Sequence, residues 1–137
     1  MPDPVLLYVE DEDAAAFLLE TTLKESGLRV QLFRVSDGEQ ALAFLAKSGA
    51  YQKAPTPDLI LLDLNLPRIT GIQVLERLHS EGTDRIPVTV FTSSRLASDR
   101  RNALALGAKD YIVKPSDLDG FMEAVRDACS PLLQRNY

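Results

Sequence analysis

The feature of this 137-residue sequence that most constrains its fold is a regular alternation of strand-like and helix-like segments. Short β-favouring runs are separated by segments in which apolar residues recur at helical spacing. The predicted strands are residues 5–9, 30–35, 59–63, 88–91 and 111–113. The predicted helices are residues 14–26, a segment that opens at Ser36-Asp37-Gly38 and ends near Gly49, a segment from Ile72 to near Gly82, and residues 98–106 and 118–129. Five βα units of this kind require an α/β fold, with helices on both faces of a parallel sheet and right-handed crossovers.

The composition indicates one globular domain. Hydrophobic residues make up 45% of the chain, which is enough to bury a core. We therefore expect a single domain over residues 1–137, in which roughly residues 131–137 form a C-terminal tail. One connection, residues 48–58, is longer than usual and contains two prolines.

The net charge and the short length of the apolar runs argue against several classes of partner. The net charge is −5, from 15 basic and 20 acidic residues, and it disfavours binding to nucleic acid or to an anionic membrane. No secretory signal is recognisable, and no run approaches the roughly 20 apolar residues of a membrane span. The single cysteine, Cys129, cannot form an internal disulfide and is predicted to be a small core residue. These features predict a cytoplasmic protein.

Polar residues follow or end four of the predicted strands. Glu10 and Asp11 follow the first strand, and the other three are Asp63, Thr92 and Lys114, at the ends of strands three, four and five. Since the carboxyl ends of parallel strands form the ligand-binding crevice of an open α/β sheet, these side chains are expected to converge.

Carboxylates brought together in one crevice repel one another and favour a bound cation. Glu10, Asp11 and Asp63 are such a set, and no histidine or thiolate accompanies them to suggest zinc. Magnesium prefers oxygen ligands and retains several waters, so the set predicts a Mg²⁺ site.

Thr92 and Lys114 supply what a phosphoryl group needs beside that cation. A hydroxyl and an ammonium can each bind one phosphoryl oxygen. Asp63 can then be the nucleophile that forms an aspartyl phosphate.

Four segments together resemble the receiver domains of two-component signalling, and they span nearly the whole chain. They are VEDED at 9–13, PDLILLDLNLP at 57–67 with Gly71 following, FTSS at 91–94 and GAKDYIVKP at 107–115. Each segment is short, but their joint occurrence is specific. The long connection with AYQKAPTP and the DLNLP sequence resemble the small phytochrome-associated response regulators.

The resemblance implies a role for each acid of the site. Asp63 is the phosphoacceptor, and Asp11, Asp63 and the backbone carbonyl of Asn65 bind Mg²⁺. Glu10 acts mostly through water, and Lys114 pairs with the phosphoryl group.

The resemblance also implies a switch. Thr92 moves toward the phosphoryl group and Tyr111 swings between outward and inward rotamers, which changes the surface around the fourth helix and fifth strand. The Lys114–Pro115 bond is expected to be cis, an isomer that only X-Pro bonds adopt cheaply.

For the fold and partners, the resemblance implies a flavodoxin-like, doubly wound sheet with strand order 2-1-3-4-5 and five helices. The phosphoryl donor is a histidine kinase, for which a bacteriophytochrome is one candidate. The output is binding to a downstream protein or phosphotransfer partner, and a homodimer through the switching face is a family expectation. The protein is not an enzyme beyond catalysing its own phosphorylation and dephosphorylation.

Simpler structural interpretations remain open for most of these residues. Acids after a first strand can cap the next helix, Asp63 and Asn65 can form a turn, and Thr92 can cap the fourth helix. Lys114-Pro115 can be a surface turn, and Tyr111 can be a packed aromatic residue.

Two rival functions also remain. A degenerate receiver would act as a phosphorylation-independent binding module, but the loss of an acid, the threonine or the lysine that would mark it is not seen. A small aspartyl-phosphate phosphohydrolase would carry its nucleophile in a D-x-D pattern after the first strand. Here the candidate ends the third strand within Asp63-Leu64-Asn65.

Overall fold

The predicted alternation of strands and helices is present throughout the chain. The computed structural model describes residues 2–82 and 85–133. The strands are β1 (Val5–Val9), β2 (Gln31–Val35), β3 (Leu59–Leu62), β4 (Val88–Thr92) and β5 (Asp110–Val113). The helices are α1 (Asp13–Ser26), α2 (Gly38–Ala46), α3 (Gly71–Ser80), α4 (Ala97–Ala105), α5 (Leu118–Ala128) and a short α6 (Ser130–Leu133).

The five strands form one parallel sheet in the order β2-β1-β3-β4-β5. The predicted flavodoxin-like order is therefore confirmed, with α1 to α5 as the five expected helices. The central strands β1 and β3 are buried along their whole length, which explains why their sequences are continuous apolar runs rather than alternating ones.

Side chains of β1 alternate between two separate cores. Leu7 and Val9 pack in the core beneath α2, α3 and α4, whereas Leu6 and Tyr8 pack in the core beneath α1 and α5. Helices thus cover both faces of the sheet. Between β1 and β3 the connections turn to opposite faces, and this is the point where an open α/β sheet leaves a crevice for ligands.

Local signals explain most helix boundaries. Asp37 is the N-cap of α2, and its carboxylate accepts a hydrogen bond from the Gln40 amide. Thr70 and Gln73 form a reciprocal capping box at the start of α3. The helix predicted to end near Gly49 ends earlier, at Ala46, because Lys47 adopts a left-handed conformation with φ of 55°.

The long connection at residues 48–58 is attached to the domain. It contains a 3-10 helix at Gly49–Tyr51, and the Tyr51 ring packs 5.5 Å from that of Phe44. At its far end the Asp58 carboxylate accepts a hydrogen bond of 2.8 Å from the Val5 amide.

The C-terminal boundary differs from the prediction of a tail from about residue 131. Helix α6 continues through Leu133, and Leu132 is buried in the core beneath α1 and α5. Residues 130–133 therefore belong to the folded domain, while residues 134–137 lie outside the described part of the chain. None of the helices described is both long and apolar enough to cross a membrane.

Gly71, the first residue of α3, lies against the backbone that carries the predicted phosphoacceptor. A Cβ atom at this position would lie 2.4 Å from the carbonyl oxygen of Asp63 and 2.6 Å from the Cα of Leu64. The Gly71 amide also donates to the Leu64 carbonyl at 3.0 Å. A residue without a side chain is therefore needed where α3 meets the end of β3.

Replacing Gly71 with alanine should destabilise the domain by about 1–3 kcal/mol, because the backbone of β3 must shift to make room. In a helix, alanine is ordinarily more stable than glycine by up to about 1 kcal/mol. A loss of stability in Gly71→Ala therefore reports the steric clash and not helix propensity. Urea denaturation measures the effect, with the exposed Ser98→Ala in α4 as a control expected to stay within about 0.5 kcal/mol. A stabilised Gly71→Ala variant contradicts the close approach.

Cys129 should be unreactive while the protein is folded. It is fully buried and carries no disulfide, and burial raises the pKa of its thiol to about 12. An exposed thiol ionises near pH 8.5, so a disulfide reagent at about that pH should label Cys129 only after unfolding in guanidinium chloride. Ser98→Cys, which adds an exposed thiol, should react at once. Rapid labelling of native wild type contradicts the packing of α5.

Candidate functional site

The predicted site residues converge at the carboxyl edge of the sheet. Glu10 follows β1, Asp63 follows β3, Thr92 ends β4 and Lys114 follows β5. Glu10, Asp63 and Thr92 are buried, whereas Asp11 is exposed and borders solvent. The sequence places these residues up to about a hundred positions apart, and the strand order brings them together.

Asp63 is positioned by hydrogen bonds of its backbone and of its carboxylate. Its amide donates to the Val9 carbonyl of β1 at 3.1 Å, so the residue continues the pairing of β3 with β1. Its Oδ1 accepts from the Asn65 amide at 3.0 Å, and its Oδ2 accepts from Lys114 Nζ at 3.0 Å. Asp63 thus forms the turn that its sequence allows and also directs its second oxygen into the site.

Lys114 joins two buried acids. Its Nζ donates to Oε1 of Glu10 as well as to Asp63, and its backbone amide donates to the Thr92 carbonyl at 2.7 Å. The ammonium therefore lies within the site, with 9% of the side chain exposed, and is not part of a surface turn.

The charges in this group are not balanced. Burial raises the pKa of Glu10, and the charge of Asp63 adds to that effect, while Lys114 opposes it. Burial alone lowers the pKa of Lys114, but Asp63 and Glu10 outweigh it and the pKa is raised. One ammonium thus faces two buried carboxylates, and the exposed Asp11 adds a third. The excess negative charge favours a further cation.

The carboxylates have the spacing of a cation site. One ligand oxygen from each of Glu10, Asp11 and Asp63 lies within 4.8 Å of the others. Oxygen ligands of this kind suit a hard divalent ion. The donor set is therefore able to hold a divalent metal with one side open to solvent at Asp11.

The Lys114–Pro115 bond is trans, so the prediction of a cis bond here is wrong; the structure has no cis peptide bond among the described residues. Trans is the favoured isomer even before proline. A cis bond is not needed to direct the lysine into the site. Lys114 already reaches Glu10 and Asp63 from the trans backbone.

Thr92 and Tyr111 meet at Ser94. Oγ1 of Thr92 accepts a long hydrogen bond of 3.4 Å from the Ser94 amide, and the hydroxyl of Tyr111 donates to the Ser94 carbonyl at 3.0 Å. Tyr111 is therefore in a buried, inward position. Thr92 does not cap α4, because Leu96 occupies the N-cap position.

Two residues that hold the site were not singled out from the sequence. Tyr8 donates its hydroxyl to Glu10 Oε1 at 3.1 Å, and Arg34 donates from Nε to the Glu10 carbonyl at 2.8 Å and from Nη1 to Asp13 at 2.8 Å. A signal existed for both. Tyr8 lies two positions before Glu10 on the same face of the strand, and Arg34 is a charged residue within an apolar strand.

The comparison with known families agrees with this geometry. The response regulator receiver domain family matches residues 6–126. Response regulator Rcp1 of Synechocystis sp. is 37% identical over 126 residues, which cover 91% of this chain and 86% of Rcp1. The transcriptional regulatory protein DltR of Streptococcus agalactiae is 36% identical over 121 residues, and the chain spans about half (50%) of its length.

Two solved structures are also similar. The phosphorylated cyanobacterial phytochrome response regulator RcpA superimposes with a TM-score of 0.90 at 34% identity, covering 97% of this chain and 96% of RcpA. The Mn²⁺-bound form of Rcp1 gives a TM-score of 0.86 at 37% identity, covering 93% of this chain and 92% of Rcp1. The acidic cluster, the strand order and these matches together show that this chain belongs to the response regulator receiver domain family and is similar to phytochrome response regulators.

Proposed function

We propose that this receiver domain accepts a phosphoryl group on Asp63 from the phosphohistidine of a histidine kinase, with Mg²⁺ bound beside it. The observation that carries the proposal is the position of Asp63. Its Oδ2 lies 3.0 Å from Lys114 Nζ. One of its carboxylate oxygens also lies within 4.8 Å of a carboxylate oxygen of Glu10 and of one of Asp11.

In this proposal Asp11, Asp63 and the carbonyl of Asn65 bind Mg²⁺, and Glu10 acts mostly through a water molecule. Magnesium, when bound, neutralises charge on the phosphoryl oxygens and on the carboxylates. The excess negative charge of the cluster supports this assignment, because two buried carboxylates share a single ammonium.

In the proposed phosphoryl transfer, one bond to phosphorus forms and one breaks. An oxygen of Asp63 forms a bond to phosphorus as the phosphorus–nitrogen bond of the donor breaks. The leaving imidazole nitrogen keeps the electron pair and takes up a proton. Lys114 binds one phosphoryl oxygen and Thr92 donates its hydroxyl to another, so the residues position the group and offset its charge.

The same residues are proposed to report phosphorylation. Thr92 moves toward the phosphoryl group, and Tyr111 changes rotamer with it, so the surface around α4 and β5 differs between two states. The shared contact of Thr92 and Tyr111 with Ser94 supports this coupling. The Arg100 guanidinium lies over the Tyr111 ring, 6.0 Å from its centroid, so a rotamer change of Tyr111 would also change the contact of Arg100.

The similarity to RcpA and Rcp1 supports a phytochrome-type histidine kinase as the phosphoryl donor. The output is proposed to be binding to a downstream protein or a phosphotransfer partner, or pairing with a second copy through the α4 and β5 face. The presence of Asp63, Thr92 and Lys114 in one site favours this function over a phosphorylation-independent binding module.

Acetyl phosphate and Mg²⁺ should add the mass of one phosphoryl group to the wild-type protein, and Asp63→Asn should remain unmodified because it lacks the nucleophile. Intact-mass spectrometry measures both. The matched control is Asp127→Asn, an exposed acid on α5, which should be phosphorylated like wild type. Wild type that stays unmodified, or Asp63→Asn that gains the same mass, refutes the proposal.

Asp11→Asn should change affinity and stability in opposite directions. Loss of a ligand should weaken Mg²⁺ binding about tenfold or more. Without metal, removal of one of three clustered carboxylates should stabilise the fold by about 0.5–1 kcal/mol, since repulsion is relieved. Calorimetric titration and thermal melts in chelator test the two effects.

Glu25→Gln is the control for this pair of measurements. It removes the same charge from an exposed position at the far end of α1 and should alter neither quantity appreciably. An Asp11→Asn variant with unchanged Mg²⁺ affinity excludes Asp11 as a ligand.

A further inference from the structure

Tyr8 is the one residue of β1 whose side chain reaches the acidic cluster from inside the core. It is fully buried and packs with Leu6, Leu19 and Phe91 in the core beneath α1 and α5. A buried tyrosine hydroxyl needs a hydrogen-bond partner. Here that partner is Oε1 of Glu10, at 3.1 Å, two residues along the same strand.

Hydrogen-bond donors of the protein fill most of the acceptor positions of the Glu10 carboxylate. Oε1 accepts from Tyr8 and from Lys114, and Oε2 accepts from the amide of Glu12 at 3.2 Å. An ionised carboxylate offers about four acceptor positions, so three of them are filled by the protein. The position that remains is on Oε2, which is therefore the oxygen available to a cation or to its bound water.

Of the two donors to Oε1, Lys114 can move away from Glu10, whereas Tyr8 cannot. Lys114 is shared with Asp63, and its proposed role is to bind a phosphoryl group carried by Asp63. When Lys114 turns toward that group, the Glu10 carboxylate stays buried with fewer donors. A buried charged group that loses its hydrogen bonds is strongly destabilised. Tyr8 is fixed by the core and continues to donate.

We propose that Tyr8 is a positioning residue, whose hydroxyl holds Oε1 of Glu10 so that Oε2 faces the divalent cation whether or not Lys114 is in contact. The inference rests on the proposed function and deepens it, because it adds a residue of the hydrophobic core to the cation site. Aliphatic residues fill the other β1 positions without such a contact.

The test is the affinity for Mn²⁺, measured from the electron paramagnetic resonance signal of the free ion. Tyr8→Phe keeps the ring and removes only the hydroxyl, and it should weaken binding about tenfold, as expected for the loss of a hydrogen bond to a charged group. Tyr51→Phe removes a hydroxyl from a half-buried ring that packs on Phe44, away from the site, and should bind like wild type.

A double-mutant cycle separates positioning from a general packing effect. In a Glu10→Gln background the carboxylate is absent, so Tyr8→Phe should cause no further loss of Mn²⁺ affinity. An equal loss in both backgrounds, or no loss in either, overturns the role of Tyr8. Thermal melts of each variant identify a temperature at which all of them are folded. Mn²⁺ affinity is measured at that temperature, so a destabilised variant still gives a valid affinity.

The outcomes also distinguish this inference from the proposed function. Wild type that neither binds Mn²⁺ nor gains a phosphoryl group refutes both. Wild type that does both, together with unchanged affinity in Tyr8→Phe, refutes only the positioning role.

Discussion

The interaction on which the site depends is the contact of one largely buried ammonium, that of Lys114, with two buried carboxylates, those of Glu10 and Asp63. Removing one partner from a buried ion pair costs about 3–5 kcal/mol, so each of the three groups stabilises the burial of the others. They follow β1, β3 and β5. Only a strand order that places β1 next to β3, with β5 close enough for a long side chain, satisfies this requirement.

The rest of the fold provides that assembly with rigid support. Backbone hydrogen bonds connect Glu10 to Val35 of β2 and Asp63 to Val9 of β1, so both acids are continuations of paired strands rather than free loop residues. Gly71 permits α3 to begin directly against Asp63. By contrast, Thr92 and Tyr111 are tied to the site through Ser94 in the loop before α4. Thr92 and Tyr111 lie in the paired strands β4 and β5, and their side-chain oxygens both contact the backbone of Ser94 in that loop.

Most of the fold, and the set of residues that converge at the candidate site, could be predicted from the sequence, because apolar periodicity and the polar residues at strand ends are local signals. Lys47 ends α2 before Gly49 by adopting a left-handed conformation, which is unusual for a lysine and had no sequence signal. The assignment of residues 131–133 to a tail failed because Leu132 is buried by tertiary packing alone. The expectation of a cis bond at Pro115 came from the resemblance, and Lys114 contacts both Glu10 and Asp63 from a trans backbone.

The sequence by itself determined the parallel α/β architecture, the crevice at the strand ends and the acids, hydroxyl and ammonium that meet there. Each of these follows from residue type and spacing. Tertiary structure alone decided which atoms pair: Lys114 with both Glu10 and Asp63, Tyr8 with the same oxygen of Glu10, and Arg34 with the Glu10 carbonyl. The physical reason is that these contacts join different strands or depend on which oxygen a buried carboxylate turns inward. Hydrogen-bond geometry in the folded core sets that choice, and no local pattern encodes it.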